Sequence, residues 1–130
     1  MNASTLEPTT KTAERESAVL GEAVTRAADN WGLSDAQLGR IIGISRTSAL
    51  RLRGDGSFKL RRGYPEFELG QYFVRVFRSL DSIMGSDDAA SISWLKSHNL
   101  DLDARPVDMI QSIGGLVRVA DYIDGFRARV

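Results

Sequence analysis

Apolar positions recur every three or four residues along most of the chain, a spacing that is typical of amphipathic helices. It predicts a first helix over 14–30, a longest helix over 66–84 and three short helices in the last third. Because no stretch alternates as a half-buried strand does, we expect an all-α protein. The longest helix has the broadest apolar stripe, comprising Leu69, Phe73, Val76, Phe77, Leu80, Ile83 and Met84.

The first helix follows a polar, threonine-rich segment with little apolar content, so we predict a disordered tail over residues 1–13. Leu20, Val24 and Ala27 share one face of that helix, and Trp31 follows it. We interpret this helix as scaffold and Trp31 as a core residue.

The stretch from Ser34 to Arg53 predicts two short helices joined by a tight turn. Ser34 and Gln37 form a capping box at the start of the first, Gly43 ends it, and Ser45 caps the second. This pattern indicates a helix-turn-helix, whose second helix enters the major groove of DNA. The expected inward positions are Leu38, Ile41, Ile42, Ala49 and Leu52.

Basic residues cluster around this motif, although the whole chain has no net charge. Residues 40–65 hold seven bases and one acid, a local charge of +6, whereas 1–39 and 66–130 each sum to −3. Such a patch on a helix-turn-helix indicates a phosphate-binding face. Leu50 is ambiguous, since it meets either a thymine methyl or the adjoining loop. We predict that bases are read or flanked by Arg46, Thr47, Ser48 and Arg51, and that Arg40 and Arg53 lie nearer the phosphates.

Three glycines and a proline between residues 53 and 67 predict a break between two lobes. We therefore divide the chain into the tail, a helix-turn-helix domain over 14–63 and a second helical domain over 64–130. Lys59, Arg61 and Arg62 flank this joint, where they either contact DNA phosphates or belong to a solvated linker.

The last third contains further start and stop signals for helices. We expect Ser86 to cap a helix that holds Asp87 and Asp88 in its first turn. Pro106 suits the first position of the next helix, which we expect Gly114 and Gly115 to end.

Composition argues against an enzyme. The chain has no cysteine, no Gly-rich phosphate loop after a strand, and a single histidine, His98, which is more typical of a helix-end surface than of a general base. We expect no metal and no cofactor. Without an apolar run of membrane-spanning length or a signal core, the chain is expected to be cytoplasmic and to have no membrane partner.

One set of residues in the last third forms a spaced motif: Trp94, Leu95, Asn99, Leu102, Pro106, Gly115, Val119, Tyr122, Ile123, Asp124 and Arg127. In these residues the chain resembles the Xre/MbcA/ParS-type antitoxins, a family paired with RES-domain toxins that consume or transfer from NAD. The family usually has a glycine between the asparagine and the proline, where this chain has Asp-Leu-Asp-Ala at 101–104.

The resemblance implies a Cro-like DNA-binding lobe that represses the shared promoter and a C-terminal lobe that silences a cognate RES toxin. A helix and its arginine-bearing tail would obstruct the NAD site, although a frayed charged end is an equal alternative. The implied toxin contacts are Tyr122, Asp124, Arg127 and Arg129. Trp94, Leu95, Asn99, Pro106 and Gly115 are interpreted as structural.

A single helix-turn-helix binds weakly, so we expect two copies on an inverted repeat, as a homodimer or within a larger toxin complex. Such an antitoxin would be a bacterial cytoplasmic protein, associated with the nucleoid when bound to DNA. Two other interpretations stay open. The chain could be a stand-alone regulator whose second lobe dimerises or senses a ligand, or its helix-turn-helix could be only scaffold. Gly39 favours the scaffold interpretation, because an alanine-like residue would better support the helix.

Overall fold

The computed structural model describes residues 9–129, with side chains up to residue 128. In this range there is no strand, only an isolated bridge between Asn99 and Ala104. The predicted all-α class is therefore confirmed. None of the helices described is both long enough and apolar enough to cross a membrane. The helices are α1 (Thr10–Asn30), α2 (Asp35–Ile42), α3 (Arg46–Arg53), α4 (Pro65–Ile83), α5 (Asp88–Lys96), α6 (Pro106–Met109) and α7 (Ile113–Arg129).

Helix α1 begins at Thr10, so the disordered tail predicted over 1–13 is wrong at its C-terminal end. The Thr9 hydroxyl accepts a hydrogen bond from the backbone N–H of Thr12 at 3.1 Å and satisfies one free amide of the first turn. One threonine of the predicted tail, Thr9, is therefore a helix cap. Residues 1–8 of the predicted tail lie outside the described residues.

Helix α4 is the central element of the core, since it packs against α1, α2, α5 and α7. Trp31 is buried against it, with ring centroids 5.6 Å from Phe73 and 5.2 Å from Phe77, so its predicted core position is confirmed. Ile83 is 40 % exposed at the end of α4, so its inclusion in the inner stripe was wrong. The predicted boundary at residue 64 would separate α4 from α1 and α2, with which it shares one apolar cluster.

Helix α5 is capped by Asp87 and not, as predicted, by Ser86. The Asp87 carboxylate accepts from the backbone N–H of Ala90 at 3.0 Å. Ser86 instead takes a left-handed conformation, with φ of 61°, and its hydroxyl lies 3.2 Å from Asp81 Oδ2. The chain leaves α4 through this turn, which is why the capping position falls one residue later.

The predicted role of Gly114 and Gly115 as a helix end is also wrong. Helix α6 ends at Met109, and both glycines lie in the first turn of α7, which is a long helix of 17 residues. The Ser112 hydroxyl accepts from the backbone N–H of Gly115 at 3.1 Å. A Cβ at residue 115 would lie 1.9 Å from the Met109 carbonyl oxygen, so glycine permits the close approach of α7 to α6.

Candidate functional site

The turn between α2 and α3 has the geometry that its sequence predicts. Ser34 Oγ accepts from the backbone N–H of Gln37 at 3.0 Å, and Gln37 Oε1 accepts from the backbone N–H of Ser34 at 2.8 Å, which completes the capping box. Gly43 ends α2 with φ of 78°, and the Ser45 hydroxyl caps α3 by accepting from the N–H of Ser48. The helix-turn-helix is therefore confirmed as a structure.

Gly39 makes this turn possible, which corrects the expectation that an alanine-like residue would suit the position better. A Cβ at residue 39 would lie 2.6 Å from the carbonyl oxygen of Ile44. The carbonyl of Gly39 in turn accepts from the backbone N–H groups of Gly43 and Ile44 at 2.8 and 2.9 Å. A side chain here would push the turn away from α2, so Gly39 no longer argues for a scaffold-only motif.

The outward face of α3 carries Arg46, Thr47, Leu50 and Arg51, all exposed. Leu50 was ambiguous in the sequence, and it is 56 % exposed and so not packed beneath the adjoining loop. Ser48 is half-buried, with its backbone N–H and its hydroxyl both 3.0 Å from the Ser45 hydroxyl. Two cations, a hydroxyl and an apolar side chain thus form the outward surface of the second helix.

Arg53 makes its contacts inside the helix-turn-helix, although the sequence placed it nearer the phosphates. Its guanidinium donates to the carbonyl of Leu33 at 2.8 Å, to Asp35 at 3.1 Å and to Asp29 at 2.6 Å. The side chain is only 18 % exposed. It thereby joins the end of α3 to the α1–α2 connection.

Arg40 is exposed on α2 and donates to Gln111 Oε1 at 3.1 Å, which links the helix-turn-helix to the segment before α7. Lys59 and Arg61 are exposed on the joint. Arg62 is engaged, since it donates twice to Glu16 Oε2 at 2.8 and 2.9 Å and lies 5.4 Å above the ring of Phe67. The structure thus divides the basic patch into cations that pair with carboxylates, Arg53 and Arg62, and cations without such a partner among the described residues.

The implied toxin contacts on α7 have contacts within the chain. Tyr122 stacks on half-buried Trp94 with centroids 6.4 Å apart, and its hydroxyl donates to Asp101. Asp124 pairs with Arg75 of α4. The guanidinium of Arg127 donates to the Ser79 hydroxyl at 3.1 Å, and the side chain of Arg129 lies outside the described residues. These contacts dock the C-terminal half of α7 on α4 and on the loop before α6.

The connection over 99–104 lies where the antitoxins that the chain resembles usually have a glycine. Asn99 Oδ1 accepts from the backbone N–H of Leu102 at 3.0 Å, and the N–H of Asn99 donates to the carbonyl of Ala104 at 2.9 Å. Asp103 takes the left-handed conformation, with φ of 54°. Aspartate tolerates this region better than most residues, so it can stand where glycine is usual. Leu95 and Pro106 are buried on either side.

Hydrogen bonds shift the pKa of side chains at two exposed places. Arg105 lies at the start of α6 and donates to both carboxylate oxygens of Asp108 at 2.9 and 3.1 Å. These hydrogen bonds lower the pKa of Asp108 and raise the pKa of Arg105. Hydrogen bonds from Ser57 lower the pKa of Asp55. Both sets of hydrogen bonds stabilise local turns. His98 lies on the surface, with its Nε2 3.3 Å from Asp103 Oδ1.

The comparisons with known proteins divide the chain in two. Residues 12–75 match the model of the antitoxin Xre-like helix-turn-helix domain, which extends from α1 through most of α4. Residues 79–129 match the model of the antitoxin Xre/MbcA/ParS C-terminal toxin-binding domain, which holds the end of α4 and α5 to α7. No curated protein sequence matches the chain.

Proposed function

Because the chain belongs to the Xre-type antitoxins, we propose that it neutralises an NAD-consuming RES-type toxin by obstructing the active site and represses their shared promoter. The observation that carries this proposal is that a helix-turn-helix domain and a toxin-binding domain, by their family descriptions, share one hydrophobic core. Helix α4 packs against α1 and α2 of the helix-turn-helix half and against α7 of the C-terminal half. One matched domain is described as toxin-binding and the other as a helix-turn-helix domain, so the proposed activity is binding and not catalysis.

The DNA half of the proposal uses the exposed face of α3. Arg46, Thr47 and Arg51 would contact base edges, Leu50 would meet a thymine methyl, and Ser48 would flank them. Arg40, Lys59 and Arg61 would contact phosphates, whereas Arg53 and Arg62 are left out because their guanidinium groups are paired inside the chain.

The DNA contacts can be tested on the promoter upstream of the gene. Arg51→Ala should cost about 1–3 kcal/mol of binding free energy and relax one base position, as measured by gel shift at fixed salt. Arg26→Ala on α1 is the control, because Arg26 is exposed and, among the described residues, pairs only with Glu22. A uniform loss across operator variants would make Arg51 a phosphate contact. A salt slope near zero would contradict phosphate-driven binding.

The toxin half of the proposal uses the end of α7. Arg127 donates to a neutral hydroxyl and has no carboxylate partner within the described residues, so its charge is available to an anion. We propose that this arginine, together with Arg129, covers a pocket built for the phosphates of NAD. Tyr122 and Asp124 would hold α7 in place while their exposed edges border the toxin.

The decisive experiment is co-expression with the product of the neighbouring gene. Rescue of growth by the full chain supports the antitoxin function, and a chain lacking residues 125–130 should lose protection. If the truncated chain protects fully, the obstructing-tail version is refuted. If the neighbouring frame encodes no RES-type protein, the stand-alone regulator is favoured instead.

Repression would require two copies on an inverted repeat, because one motif of this size binds weakly. They would be brought together by the chain itself or through the toxin complex. We place the protein in the bacterial cytoplasm, at the nucleoid when it is bound to its operator. Footprinting of the promoter would reveal the two half-sites, and protection of a single half-site would contradict this arrangement.

A further inference from the structure

A groove of about 790 Å³ runs between α1 and α4, with an apolar floor. Val19 of α1 is 61 % exposed in it. None of the α3 residues proposed to contact DNA lines this groove. Its apolar lining consists of Val19, Leu20, Ala23, Phe67 and Val74.

The rim of this groove is cationic. It receives five arginines, from α1, the joint, α4 and α7: Arg15, Arg62, Arg75, Arg78 and Arg127. Among the described residues of the lining, Glu16 is the only acidic one, and it pairs with Arg62, while Arg75 pairs with Asp124. Within the described residues neither Arg15 nor Arg78 has a carboxylate partner. The groove therefore offers an apolar floor beside positive charge that residues 9–128 do not neutralise.

The loop over 99–104 carries an exposed apolar side chain beside negative charge, which complements the groove. Leu100 is 90 % exposed at its tip, and it is followed by Asp101 and by Asp103, whose side chain is 92 % exposed. The Asn99 side chain and the backbone bridge to Ala104 hold the loop closed. An apolar side chain is thus presented beside carboxylates on an ordered loop, so little conformational entropy would be lost when it binds.

We propose that the 99–104 loop of one copy of this chain docks in the α1–α4 groove of a second copy. Leu100 would enter the apolar floor, and Asp101 and Asp103 would face Arg15 and Arg78. Asp101 keeps acceptor capacity while it binds the Tyr122 hydroxyl. The two surfaces are complementary in polarity and in charge, whereas an apolar floor does not suit a phosphodiester backbone. This inference rests on the proposal that two copies act together, and it names the surfaces that join them.

The contact joins unlike surfaces, so each copy offers one groove and one loop. Leu100→Ser removes the apolar contact of the loop. Arg15→Glu with Arg78→Glu reverses the charge at two of the five rim arginines. All three side chains are exposed, so circular dichroism should show an unchanged fold. Sedimentation velocity of the full chain, without DNA or toxin, should show self-association that weakens about tenfold or more in either variant. High salt should weaken it as well.

Mixing the two variants is the sharpest test. The rim variant keeps its loop and the loop variant keeps its groove, so the mixture should recover a complex that neither forms alone. Matched controls are Ile113→Ser, which removes another apolar side chain at 66 % exposure, and the pair Arg26→Glu and Arg118→Glu on other exposed positions. These controls should associate as the unaltered chain does.

Three outcomes would overturn the proposal: an unaltered chain that stays monomeric across the concentration range, variants that associate normally, or a mixture that recovers nothing. None of these measurements involves the toxin or the operator. A chain that protects cells from the toxin yet fails here refutes the groove contact alone. A chain that self-associates through the groove but never protects refutes the antitoxin proposal alone.

Discussion

The pair Gly114 and Gly115 allows a direct test of how α7 is positioned. Both lie in the first turn of the same helix, but a Cβ at residue 114 meets nothing within 4 Å, whereas one at residue 115 lies 1.9 Å from the Met109 carbonyl oxygen. Gly114→Ala should therefore stabilise the fold by about 0.4–1 kcal/mol, because it restricts the unfolded chain. Local helix preference alone predicts the same gain at residue 115.

The tertiary structure predicts the opposite effect at residue 115, where an alanine should destabilise the fold. Ordinary van der Waals contact for a Cβ begins at 3.4 Å, so α7 would have to move by about 1.5 Å from α6. That movement breaks the hydrogen bond from Gly115 to the Ser112 hydroxyl and strains the one from Ser112 to the Met109 carbonyl. Overpacking costs about 1–3 kcal/mol and each lost hydrogen bond about 1 kcal/mol, so Gly115→Ala should cost about 3 kcal/mol.

Thermal unfolding followed by circular dichroism separates the two outcomes. The midpoint should rise by about 2–5 °C in Gly114→Ala and fall by about 10–15 °C in Gly115→Ala. Urea titration provides the free energy of unfolding at a fixed 25 °C, without heating the protein. If Gly115→Ala is as stable as Gly114→Ala, the close approach of α7 to α6 is not present in solution.

Three further substitutions test other contacts by urea unfolding. Arg53→Ala should cost about 1.5–3 kcal/mol because it leaves Asp29 and Asp35 without their donor, and an unchanged stability would return Arg53 to the candidate phosphate contacts. Gly39→Ala should cost about 1–2 kcal/mol, the clash with the Ile44 carbonyl outweighing the gain in helix preference. Asp103→Val should cost about 1–2 kcal/mol at its left-handed φ, with Asp103→Gly near neutral; equal effects would remove the strain argument.

Much of the local structure of this protein is encoded within a few residues. The capping box of Ser34 and Gln37, the turn at Gly43 and the apolar stripe of α4 involve neighbours three or four positions apart, so pattern alone predicts them. The same locality explains the errors. Thr9 and Asp87 are caps whose neighbours offer similar residues, so their exact positions depend on how the chain enters each helix.

The candidate surfaces were only partly predictable, because composition does not say which charges are already paired. The +6 patch around the helix-turn-helix is visible in the sequence, yet two of its arginines, Arg53 and Arg62, bind carboxylates of α1 and α2. Conversely, Arg15 and Arg78 belong to segments whose net charge is negative, and they meet at one groove. Such pairings join residues far apart in the chain.

Sequence pattern thus sufficed for the helices, the helix-turn-helix and, through a spaced motif, the family. The fold was needed to show why residues 39 and 115 must be glycine, which cations remain exposed, and how the Leu100 loop and the α1–α4 groove are formed. The physical reason is the range of the interactions. Helix caps and amphipathic spacing are satisfied within one or two turns, whereas steric fit and charge pairing depend on which distant segments the core brings together.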